Sequence, residues 1–72
     1  MNGAQRGLAY LEAKKRTYEQ YLALVIAHSE ANPPRGYSDD VVIRGYRRWI
    51  AAVQYNIEIQ YKYFGKELRE QS

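Results

Sequence analysis

The chain has 72 residues, enough for one domain but too few to bury a large core without a staple or a partner. It contains no cysteine, which removes disulfides and thiolate metal sites. Its longest apolar run, Leu22 to Ala27, is far shorter than the roughly 20 residues that cross a bilayer, so no membrane partner is expected.

The opening stretch to Arg16 carries charge where a signal peptide needs its apolar region, so no export is expected. The expected setting is the cytoplasm, or a virion if the source is viral. From about residue 4 to 31, Leu8, Leu11, Tyr18, Leu22 and Val25 recur at steps of three and four, with Lys15 as the one lapse, and predict a first helix. In a heptad, Leu8 and Leu22 take a positions and Leu11, Tyr18 and Val25 take d positions. Lys15, also at a, can snorkel from the core edge or set register. The other side is rich in alanine (Ala9, Ala13, Ala23, Ala27, Ala31), which helix propensity can explain and which would also let a second helix approach closely.

Residues 32–37, Asn-Pro-Pro-Arg-Gly-Tyr, cannot lie inside a helix, because two prolines remove donors and bar Asn32 from the α region. Ser38 then offers an N-cap, and Asp39 and Asp40 place negative charge on the first turn of a second helix, about 38–70. A stop and a start so close together predict an antiparallel αα-hairpin. Gly45 should cost the second helix about 1 kcal/mol relative to alanine, and Gly65 marks a place where its rigid part can end.

Along this helix Ile43, Tyr46, Ile50, Val53, Ile57, Tyr61, Phe64 and Leu68 form an unbroken seam within an arc of about 80°. Beside it runs a second apolar strip, Val42, Trp49, Ala52, Ile59 and Tyr63. One neighbouring helix cannot cover both, and an exposed large side chain forfeits about 1.5–3 kcal/mol. The expected fold class is therefore all-α: a two-helix hairpin in one domain, assembling into a homodimeric four-helix bundle or a larger helical oligomer through the second strip.

Eleven Lys and Arg, seven of them Arg, against eight Asp and Glu leave a net charge of +3. On the second helix Arg44, Arg48, Lys62, Lys66 and Arg69 fall within about 60° on one side, with Tyr55 between them and Arg47 at the flank. Such a line can follow a phosphate backbone, Tyr55 adding a stack or a hydroxyl contact. It can equally be a solvated face, since Glu58 sits inside it at i,i+4 from Lys62. Arg-Gly-Tyr occurs twice, at 35–37 and 44–46. Eight tyrosines, against one Phe and one Trp, suit half-wet contacts better than a dry core.

Catalytic chemistry has no candidate residues. His28 is the only histidine, placed in the last turn of the first helix where the dipole favours it, and no ligand set accompanies it. Asp39 and Asp40 point about 100° apart; no nucleophile with a base and no phosphate loop is found. No cofactor and no metal are expected. In plan the chain resembles the Rop-type plasmid regulators, helical hairpins that dimerise into a bundle and bind paired RNA. That resemblance lies in architecture and transfers no residue roles. The expected function is a non-enzymatic, self-associating binding protein acting on DNA or RNA, of the plasmid or viral regulator or packaging type. The alternatives are a structural or protein-interaction subunit, such as a virion subunit or protein inhibitor, and a sponge for a small anion at the subunit interface.

Overall fold

The computed structural model describes residues 1–34 and 36–70. Two helices, α1 (Gly3–Ala31) and α2 (Tyr37–Arg69), pack against each other as an antiparallel hairpin, and no strand occurs among the described residues. The arginine of the first Arg-Gly-Tyr copy lies outside the described residues.

Each end of α1 has a side-chain cap. Asn2 accepts from the Gln5 amide (2.8 Å) while the Gln5 side chain accepts from the Asn2 amide (3.0 Å), a reciprocal capping box. At the other end Asn32 donates to the His28 carbonyl through both its backbone and its side chain (3.1 and 2.9 Å), and His28 stands exposed in the last turn. Helix α2 begins earlier than the Ser38 hydroxyl suggested. Gly36 holds the extended N-cap conformation, and the Asp39 carboxylate accepts from its amide (3.4 Å). A first-turn acid thus secures the terminus, and Tyr37 becomes the first helical residue.

The α1–α2 seam is narrow. Leu8, Val53 and Ile57 are buried together, with Leu11, Tyr18 and Leu68 packed against them, and Ile43 is buried nearer the loop. Tyr46 and Ile50 are half-buried, as a seam position should be, but Tyr61 and Phe64 are exposed. Phe64 opens onto a groove that α1 lines with only Asn2, Gly3 and Ala4, side chains too small to cover a ring. Phe64 also leaves helical geometry (φ −126°, ψ 22°), which kinks α2 without ending it: the helix runs past Gly65 to Arg69.

Polar contacts tie the helices at two further points. Lys15 donates to Gln54 across the hairpin (2.7 Å), so the lapse in the α1 heptad is a bridge that fixes register. At the open end, Asn2 donates to the Glu67 carbonyl (2.8 Å) and Gln5 to the Glu70 carbonyl. The start of α1 thereby binds carbonyls at the C-terminal end of α2, the Glu67 carbonyl accepting from the Glu70 amide as well (3.3 Å).

Candidate nucleic-acid interface

The outward side of α2 carries the basic residues. Arg44, Arg47, Arg48, Lys62, Lys66 and Arg69 are all exposed, and Tyr55 is 63% exposed. At 100° per residue, the sector of about 60° that holds Arg44, Arg48, Tyr55 and Lys62 contains no carboxylate. Arg47 lies off this line: it borders an apolar groove with Leu22, Ile26 and Ile50 on one broad face of the hairpin. Arg69 folds back along its own turn, its guanidinium 3.7 Å from where a Cβ on Gly65 would stand. Lys66 and Arg69 both follow the Phe64 kink, so the straight part of the line ends at Lys62.

Glu58, read from the sequence as lying inside the stripe, falls at its edge, about 40° from Lys62. Its carboxylate accepts from Gln54 (3.4 Å), the same Gln54 that binds Lys15. This Lys15–Gln54–Glu58 chain draws the negative charge toward α1 and away from Lys62. The Lys62 ammonium instead lies over the Tyr63 ring, 5.6 Å from its centroid, a contact that leaves the cation accessible.

Tyr37 is a member of this face that spacing alone missed. Treated as loop, it has no helical phase. As the first residue of α2 it stands seven residues before Arg44 and eighteen before Tyr55, two separations that keep it in line with both. It is 80% exposed. With Val41, Arg44, Gly45 and Arg48 it lines a shallow groove of ≈ 260 Å³. Gly45 opens this groove: a Cβ there would meet nothing within 4 Å, so packing against α1 is not why the position is glycine.

The second apolar strip is open to solvent over most of its length. Val42, Trp49, Ala52 and Tyr63 are exposed, Trp49 at 54%, whereas Ile59 is partly covered. Trp49 is not isolated. It packs on Tyr18 (5.6 Å between ring centroids) and edge-on to Tyr46 (5.5 Å), and Tyr46 meets Tyr21 at 6.4 Å. Helix α1 contributes Tyr10 and Tyr21 to the same exposed face, and Lys14 reaches over Tyr10 and Tyr18 (5.8 Å each). Both helices therefore build this aromatic face, although the spacing had singled out α2 alone.

Among the described residues no group of three or more His, Asp or Glu is placed to hold a metal ion, and no helix is long and apolar enough to cross a membrane. No protein-family model matches the chain, and no characterised protein or solved structure was found to match it. The resemblance to Rop-type hairpins rests on architecture alone.

Proposed function

We propose that this chain is a non-enzymatic nucleic-acid-binding hairpin that works as a self-associated bundle of helices. The observation carrying this reading is the line of Arg44, Arg48 and Lys62 around Tyr55, solvent-exposed and with the neighbouring Glu58 carboxylate turned aside. Arg offers a planar fork for phosphate oxygens, Lys a point charge, and both release counterions on binding. The aromatic face leads to self-association, because burying it needs a second layer that one hairpin lacks. A regulator or packaging role on a plasmid or viral nucleic acid suits a protein of this size that supplies binding without chemistry.

Fluorescence anisotropy with mixed-sequence DNA and RNA tests the binding. Three phosphate contacts predict an affinity falling roughly 20- to 40-fold between about 50 and 200 mM salt. Arg44→Glu combined with Arg48→Glu should abolish binding while leaving the helical circular dichroism intact. Absence of binding to either nucleic acid at low salt would overturn the proposal.

A further inference from the structure

We infer that the basic face of α2 takes unpaired nucleic acid, with Tyr37 and Tyr55 as base-stacking platforms, Tyr37 at the head of the line and Tyr55 set between cations. This deepens the nucleic-acid reading above and rests on it. From the start of the helix the outward line reads Tyr37, then Arg44 and Arg48, then Tyr55, then Lys62 and Lys66. Along the helix axis Tyr37 stands about 14 Å before the midpoint of Arg44 and Arg48, Tyr55 about 11 Å before Lys62, and the two tyrosines about 27 Å apart, a span of several nucleotides.

Among the described residues neither ring is engaged by another. The ring contacts among the described residues lie on the aromatic face, among Tyr18, Tyr21, Tyr46 and Trp49, and under Lys14 and Lys62. Tyr37 and Tyr55 take part in none of them and point the bodies of their rings into solvent. In a duplex the base faces are already stacked on one another, and a ring on an outer helix face has nothing to lie against. An unpaired strand offers its bases for stacking while its phosphates reach the neighbouring cations. The groove between Tyr37, Arg44 and Arg48 supplies both contacts in one place, opened by the missing side chain of Gly45.

Three probes of equal length, about 20 nucleotides and so longer than the line, decide the matter by anisotropy at low salt: mixed DNA strand, mixed RNA strand and blunt DNA duplex. Both single strands should bind at least about tenfold tighter than the duplex, and the two strand arms show whether DNA or RNA is preferred. Tyr37→Ala and Tyr55→Ala should each weaken strand binding about fivefold or more and leave duplex binding unchanged. Tyr37→Phe and Tyr55→Phe should retain it, since a stack needs the ring and a phosphate contact needs the hydroxyl. Both tyrosines are exposed, so the variants keep the fold, checked by thermal melts. Equal or tighter duplex binding overturns this inference and leaves the nucleic-acid reading standing. So does strand binding that is indifferent to Tyr→Ala, or as damaged by Phe as by Ala. If no probe binds, the underlying reading falls as well.

Discussion

Among the described residues Ser29 is the one buried polar residue, 3% exposed, and its Oγ has no hydrogen-bond partner among them. It occupies the same heptad position as Leu8, Lys15 and Leu22, so its inward direction follows from the α1 repeat. A buried hydroxyl without a partner loses its hydration and gains nothing in return. Ser29→Ala removes the hydroxyl, nearly preserves volume and improves helix propensity, so it should stabilise the hairpin by about 1 kcal/mol. A thermal melt should shift upward by roughly 4–8 °C; a downward shift of that size would show that the hydroxyl is engaged. Gly45 invites the same direction of change for another reason. It is helical, no atom stands within 4 Å of a Cβ placed there, and Gly45→Ala should add about 0.5–1 kcal/mol in denaturant unfolding. That gain would come with a narrower groove beside Arg44 and Arg48.

Element by element, the ends of the helices carry information that periodicity lacks. Asn2 is a cap for α1 and a donor to the Glu67 carbonyl of α2. Asn2→Ala should therefore cost about 1–2 kcal/mol, more than Asn2→Asp, which keeps the cap acceptor and loses the bridge. Equal losses from the two variants would mean the bridge contributes the stability and the cap does not. The hairpin itself was legible because Pro33 and Pro34 interrupt two heptad patterns, and Ile43, Val53 and Ile57 are buried where the repeat puts them. The exposure of Tyr61 and Phe64 was not legible, since apolar spacing on one helix says nothing about what stands opposite, the charged Glu12, Lys15, Arg16 and Glu19 beside Tyr61 and the small Gly3 and Ala4 beside Phe64. The start of α2 was missed because a hydroxyl at Ser38 is a strong local signal, while the acid-to-Gly36 contact becomes visible only in three dimensions. That shift brought Tyr37 into the candidate site. The cations were readable from spacing; the turning aside of Glu58 depends on Gln54 and Lys15 and was not.

For the whole molecule the governing quantity is surface. The hairpin measures 50 × 17 × 12 Å, one helix thick, with a radius of gyration of 16.1 Å where a compact chain of this length has about 11 Å. It exposes 5582 Å², against about 4,700 Å² for a compact monomer of 8.5 kDa. The excess, roughly 900 Å², is close to what each partner contributes to a standard stable interface. The exposed aromatics that account for a share of it, Tyr10, Tyr21, Trp49 and Tyr63, are large amphipathic groups of the kind that anchor interfaces. In the proposed assembly a second copy laid on this face would supply the missing layer. Sedimentation from micromolar to millimolar concentration should show dimer formation or higher assembly, with a melting temperature that rises with concentration. Trp49→Ala should weaken association tenfold or more, because it removes the ring at the centre of the cluster, and Tyr63→Ala should weaken it less. Arg16→Ala, an exposed position beside the polar groove on the opposite side of the hairpin, should leave association unchanged. A monomer that melts cooperatively at one temperature up to millimolar concentration would refute the assembly. The two properties also predict a coupling: if assembly brings two basic lines onto one strand, Trp49→Ala should lower affinity for long strands more than for short ones, because only a long strand can engage both lines at once.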